Sequence, residues 1–123
     1  MASLVVVSGP NEGSYYPLGT RTVVIGRDEG ATIQVTDEKV SRKHVQVRKT
    51  DKGGYVALDM KSANGTRING RGLTTEIELV DGDELEIGAS RVVFYTREFP
   101  DRESAFGHWK KAGQRGRPTI PQA

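Results

Sequence analysis

An all-β sandwich or barrel is the fold class this sequence predicts. Three observations carry it: some nine to eleven short stretches that are apolar or alternate apolar with polar, turn residues between them at spacings of roughly eight to twelve, and no change of pattern before Pro100. With 123 residues there is room for one packed domain and a short appendage.

The first strand is read at residues 3–8, where Leu4-Val5-Val6-Val7 is apolar without alternation and so buried on both sides. Gly9-Pro10-Asn11-Glu12-Gly13 ends it. Residues 14–18 form a short edge strand, because Pro17 has no amide hydrogen to give a ladder. A third strand at 22–25 stops at Gly26-Arg27, and a brief one follows at 32–35. Residues 36–40 lead into Ser41-Arg42-Lys43-His44, after which Val45 and Val47 alternate with Gln46 and Arg48 through residue 49.

Asp51-Lys52-Gly53-Gly54 supplies hairpin chemistry, and residues 55–59 return antiparallel. Residues 61–65 are loop, 66–68 a very short strand, and Asn69-Gly70-Arg71-Gly72 a turn. Residues 75–79 and 84–87 alternate cleanly about Asp81-Gly82-Asp83, and Gly88-Ala89-Ser90 turns into a last strand at 91–95. The domain is therefore placed at 1–96. From Pro100 to Lys111, proline and acids at the start and lysines at the end match a helix and its dipole, with Phe106 and Trp109 on one face to cover the core. Residues 97–123 are read as this short helix and a basic tail or linker.

Composition excludes several functions. There is no cysteine, hence no disulfide, thiolate zinc site or cysteine nucleophile, and His44 and His108 lack metal-ligand spacing. Neither cofactor nor metal is expected. No apolar run of about 18 residues is present, and residues 1–7 are too short for a secretory signal, so a soluble, cytoplasmic protein is expected. The net charge of +2 is unevenly placed: residues 1–96 hold 12 Lys+Arg and 13 Asp+Glu, while residues 97–123 hold 6 and 3. A near-neutral core with clustered arginines suits one small anion better than a polyanion.

Such an anion is a phosphate monoester. It carries roughly −1.5 to −2 charges and three acceptor oxygens, and needs guanidinium forks, hydroxyls and main-chain amides converging on one point. Arg27, Ser41 and Arg42 are of the right types, on two loops that one rim of a sandwich can bring together. Asn64 offers a carboxamide, able to clamp an extended peptide's backbone, and is read both as that clamp and as turn chemistry with Gly65, whereas Asn69-Gly70 is read as turn chemistry.

Gly26-Arg27, then Ser41-Arg42-Lys43-His44, then Asn64-Gly65-Thr66 with Asn69-Gly70, in this order and at these separations, closely resemble the forkhead-associated (FHA) domain over about residues 3–96. The resemblance implies an eleven-stranded antiparallel β-sandwich that binds phosphothreonine peptides with loops at one end. It implies phosphate contacts from Arg27, Ser41 and Arg42, and a hold on the peptide backbone from Asn64. Gly26, His44, Gly65, Thr66, Asn69 and Gly70 are implied supports, with His44 bracing the loops. The implied partner is a threonine-phosphorylated protein in a Ser/Thr kinase pathway, not a membrane.

Two positions bear on specificity. Ala63 stands where the family often has Ser or Thr, which removes one hydroxyl donor and about 1 kcal/mol of affinity. The resemblance also implies that the loop residue two before Ser41, here Lys39, reads the side chain three after the phosphothreonine, and an acidic residue is expected there. Val40 and Ala63 are candidates for the niche that would receive the threonine methyl.

Other readings are weaker. Ser41 and His44 suggest a nucleophile and base, but no nucleophile elbow, zinc motif or P-loop accompanies them, so no enzyme is expected. A nucleic-acid-binding module would use the basic C-terminal tail, but it would need interleaved exposed aromatics. Thr119, set among Arg115, Arg117 and Pro118, would occupy the same rim if phosphorylated; a plain linker is the preferred reading.

Overall fold

The structure is a computed structural model and describes residues 1–116. Thr119 and the end of the basic tail lie outside the described residues. Eleven strands and one helix follow in order: β1 (Ser3–Ser8), β2 (Tyr15–Pro17), β3 (Val23–Gly26), β4 (Ile33–Gln34), β5 (Val45–Lys49), β6 (Tyr55–Asp59), β7 (Thr66–Ile68), β8 (Arg71–Gly72), β9 (Ile77–Glu78), β10 (Glu84–Ile87), β11 (Ser90–Tyr95) and α1 (Arg102–Gly116). One sheet has the order β2-β1-β11-β10-β7-β8 and the other β4-β3-β5-β6-β9. The expected sandwich is therefore present.

Its pairing is antiparallel with one exception. β4 runs parallel to β3, pairing Ile25 with Ile33 and Gly26 with Gln34, because the loop of residues 27–32 doubles back before the chain leaves again in the direction of β3. Only two residues pair, so the long crossover that parallel strands usually need is avoided.

Between the sheets lie Leu4, Val6, Val23, Ile25, Val45, Val47, Leu85, Ile87, Val92 and Phe94, all essentially inaccessible to solvent. Their neighbours Val5, Val7, Val93 and Tyr95 point to the opposite face of the first sheet and are buried there under α1, whose Ala105 completes the cluster. This second core explains why β1 is apolar without alternation. Asp101 caps the helix by accepting the Ser104 amide at 2.8 Å. Phe106 and Trp109 pack half-buried against the same cluster with ring centroids 5.6 Å apart. The boundary at residue 96 falls within this packing: the Ser3 hydroxyl donates to the Arg97 carbonyl at 2.6 Å, and the Phe99 amide donates to the Tyr15 hydroxyl at 2.7 Å.

Two short segments differ from expectation. The turn after β7 is confined to Asn69 and Gly70, at φ 51° and 86°, and Arg71 and Gly72 already pair back onto Ile68 and Arg67 as β8. The alternation of residues 75–79 yields only a two-residue strand, because β9 is a sheet edge where Leu79 reaches the interior and Ile77 remains 41% exposed.

Candidate functional site

The end of β3 and the loop before β5 are zipped together by main-chain bonds. The Arg27 amide donates to the Ser41 carbonyl at 3.0 Å, the Asp28 amide to the Arg42 carbonyl at 3.2 Å, and the His44 amide to the Ile25 carbonyl at 2.9 Å. This approach requires a glycine at position 26. A Cβ there would stand 2.7 Å from the Arg42 carbonyl carbon and closer still to its oxygen.

The Arg27 side chain crosses the same seam, its Nε donating to the Val40 carbonyl at 3.0 Å. Arg27, Lys39, Arg42 and Lys43 are all exposed. Among the described residues the ion pairs are Arg48–Glu76 and Arg91–Glu84, and neither involves these four cations. Arg27, Arg42 and Lys43 therefore present their charges outside any ion pair among the described residues, while Asp37 acts electrostatically on Lys39.

Ser41 and Asn64 join this rim to the loop between β6 and β7. The Ala63 amide donates to Ser41 Oγ at 2.9 Å, which fixes the oxygen and leaves the hydroxyl proton to be donated outward. Asn64 Nδ2 donates to the Lys39 carbonyl at 2.8 Å. One hand of the carboxamide thus holds the neighbouring loop, and its Oδ1 remains an acceptor for a peptide amide.

His44 is fully buried beneath these loops, accepting the Ser41 amide at Nδ1 (3.0 Å) and meeting the Gly65 carbonyl at Nε2 (2.8 Å). Its two ring nitrogens thus link the Ser41 loop to the loop between β6 and β7. Thr66, also buried, donates its hydroxyl to Asp59 Oδ1 at 2.6 Å.

Two carboxylates that sequence reasoning passed over hold the loops in place. Asp59 accepts the Ser62 and Thr66 hydroxyls at 2.6 Å and the Ser62 amide at 3.0 Å. Asp37 accepts the Lys39 amide at 2.9 Å, the Ala89 amide at 2.8 Å and the Ser90 hydroxyl at 2.9 Å, tying the site loop to the β10–β11 turn. Burial pushes both carboxyls up, but these hydrogen bonds outweigh it, and each lies below the usual carboxylate value. The Asp37–Lys39 bond is an Asx turn and could have been read from the sequence. Its link to Ser90 spans 53 positions and could not.

Gly26, Arg27, Lys39, Ser41, Arg42, His44, Asn64, Gly65 and Thr66 thus gather at one end of the sandwich. Asn69 and Gly70 do not join them. They lie at the far end of β7, where Asn69 bridges to Asp83 and to the Glu84 amide, both at 2.9 Å, and shape the β7–β8 hairpin. Val40 is 1% exposed and belongs to the core, so of the two candidates for the methyl niche only exposed Ala63 is on the surface.

The FHA domain model matches residues 23–88, more than half of the chain and all of this rim. Over 91 residues the chain is 40% identical to the oxoglutarate dehydrogenase inhibitor of Corynebacterium diphtheriae, an overlap of 74% of this chain and 62% of that protein. Over 95 residues it is 39% identical to the glycogen accumulation regulator GarA of Mycolicibacterium smegmatis, covering 77% and 59%. It therefore spans about three-fifths of the length of these relatives. A structure from a study of phosphothreonine-dependent FHA domain interactions superposes with a TM-score of 0.70 at 28% identity, covering 80% of this chain and 98% of the other.

Proposed function

The chain belongs to the forkhead-associated (FHA) domain family, and from that membership we propose that it is a non-catalytic signalling module that binds threonine-phosphorylated peptides through the loops at one end of its sandwich. One observation carries the reading. Arg27 and Ser41, fourteen positions apart, are locked side by side by the Arg27 amide on the Ser41 carbonyl, and neither Arg27 nor the neighbouring Arg42 forms an ion pair among the described residues.

A phosphate seated there would meet the Arg27 guanidinium, the outward Ser41 hydroxyl proton and the Arg42 side chain or amide. Asn64 Oδ1 would accept an amide of the peptide just after the phosphothreonine, and Ala63 would offer its methyl to the threonine methyl. Lys39 would face the residue three further on. These groups bind charge, and no nucleophile with an acidic orienter is needed for that task.

The relatives' names, an inhibitor and a regulator, support a partner that is another protein and a role upstream of someone else's chemistry. The nucleic-acid alternative finds no support in the family or these relatives. Among the described residues no helix is long and apolar enough to cross a membrane, and the proposed setting is a cytoplasmic Ser/Thr kinase pathway.

The test is a fluorescence anisotropy titration with a phosphothreonine peptide library, the matching unphosphorylated peptides and a duplex oligonucleotide. Binding that needs the phosphate and disappears in Arg27→Ala supports the reading. Equal affinity for phosphorylated and unphosphorylated peptides sinks it.

A further inference from the structure

A groove of about 430 Å³ leaves the rim at Lys39 and Asn64 and runs over the outer face of the first sheet to Arg91. Its floor is a row of cross-strand partners. Arg67 on β7 pairs with Glu86 on β10, and Glu86 pairs with Arg91 on β11. All three side chains point away from the core, since the alternate positions Thr66, Ile68, Leu85, Ile87 and Val92 are the buried ones.

The charges in this row are unequal. Lys39 and Arg67 form no ion pair among the described residues. Arg91 gives one nitrogen to Glu84 Oε1 at 3.3 Å, while the Trp109 indole donates to Glu84 Oε2 at 3.2 Å and lies 6.0 Å beneath the Arg91 guanidinium. Helix α1 thereby holds Arg91 in place. Against Lys39, Arg67 and Arg91 the groove itself sets Glu86; of the two carboxylates behind it, Glu84 is shared between Arg91 and Trp109, and nearly buried Asp37 is held by the Lys39 and Ala89 amides and the Ser90 hydroxyl.

We propose that this groove is an extended subsite for an acidic segment of the bound phosphopeptide, reading about three residues beyond the position that Lys39 faces. It rests on the phosphothreonine reading above. The length follows from geometry: β7 to β11 is two inter-strand steps, roughly 10 Å, and an extended chain crossing them covers about 3.3 Å per residue. Side chains at positions four to six after the phosphothreonine would then lie over Arg67 and Arg91, whose guanidinium forks suit carboxylates.

The experiment uses the full chain and one phosphothreonine peptide made with three Asp, three Asn or three Lys at positions four to six. The Asp version binds roughly fivefold to tenfold tighter than the Asn version in low salt, the gain shrinks as salt is added, and the Lys version binds weaker than either. Arg67→Gln and Arg91→Gln erase the gain and leave the Asn version's affinity unchanged. Equal affinities for the Asp and Asn versions, each still requiring the phosphate, overturn the subsite alone. Binding of all three that is indifferent to the phosphate overturns the phosphothreonine reading and the subsite with it.

Discussion

Ser41 and His44, three residues apart, are joined by one bond that fixes the chemistry of the rim: the Ser41 amide donates to His44 Nδ1 at 3.0 Å. The Nδ1 that accepts carries no proton, so the ring hydrogen sits on Nε2, which donates to the Gly65 carbonyl 2.8 Å away. One buried ring therefore sets both the loop that presents Ser41 and the loop that presents Asn64.

His44→Ala leaves the Ser41 amide and the Gly65 carbonyl without partners and opens a void beneath both loops. Ser41 is half-buried and Gly65 exposed, so water takes up part of the lost bonding, and with the void left by the fully buried ring the loss is about 2 to 4 kcal/mol. Against the roughly 5 to 15 kcal/mol that stabilise a folded domain, that is a large drop in melting temperature. Urea denaturation checks it; a midpoint matching that of the exposed control Lys43→Ala would show that the ring braces nothing.

Gly26→Ala forces a methyl into the Arg42 carbonyl, which is backbone and cannot rotate aside. The β3 end and the Ser41 loop must separate, at a cost of about 1 to 3 kcal/mol or more. Phosphopeptide affinity falls with it, because Arg27 and Ser41 no longer share a seam. Calorimetric melting together with peptide titration reads both effects, and retention of wild-type values in both contradicts the close approach.

Asp37 makes the fold sensitive to acid. Its folded pKa lies below the unfolded one, so the unfolded chain binds the proton more readily; stability is fully present above the unfolded value of about 3.8 and declines as pH falls through the folded value. Asp59 acts in the same direction. Asp37→Asn, which turns an acceptor of three hydrogen bonds into a mixed donor and acceptor, lowers stability at pH 7 and flattens the dependence below pH ~4. Chemical denaturation at several pH values tests this; parallel acid limbs in the two proteins count against it.

The strands were legible because alternation and turn residues are local signals, and β1, β6 and β7 fall where those signals put them. The candidate site residues stood out only as an ordered set, since Ser41 or Asn64 alone is ordinary loop chemistry. What stayed hidden depends on distant partners. Asp37 meets Ser90 across 53 positions, Arg67 and Arg91 become neighbours of Glu86 only through sheet order, and Val40 withdraws into the core although it sits beside Ser41. The parallel β3–β4 pair likewise follows from a returning loop whose sequence carries no mark of direction.

Ser41→Ala removes a hydroxyl whose oxygen is already bonded to the exposed Ala63 amide. Water replaces that partner, so stability changes by less than about 1 kcal/mol. The outward proton has no substitute, and phosphopeptide binding weakens by about 1.5 to 3 kcal/mol, the range for a hydrogen bond to a charged group. Isothermal titration of the variant decides it: an undiminished affinity would place Ser41 outside the phosphate's reach.

Removing residues 97–123 uncovers Val5, Val7, Val93 and Tyr95, which α1 buries through Ala105, Phe106 and Trp109. It also deprives the Ser3 and Tyr15 hydroxyls of their partners at Arg97 and Phe99. Full burial of a valine-sized side chain contributes about 1.5 to 3 kcal/mol, so even partial exposure of four such residues costs more than about 3 kcal/mol. The Arg27–Ser41 seam proposed for the phosphate is built from the end of β3 and the loop before β5, whereas α1 packs on the outer face of the first sheet, so a folded 1–96 fragment is expected to keep its phosphate requirement while losing stability. Urea melts of the fragment and the full chain, paired with titrations of a neutral-tailed phosphopeptide, separate the two effects; equal stability would make the helix an ornament on a core that is complete without it.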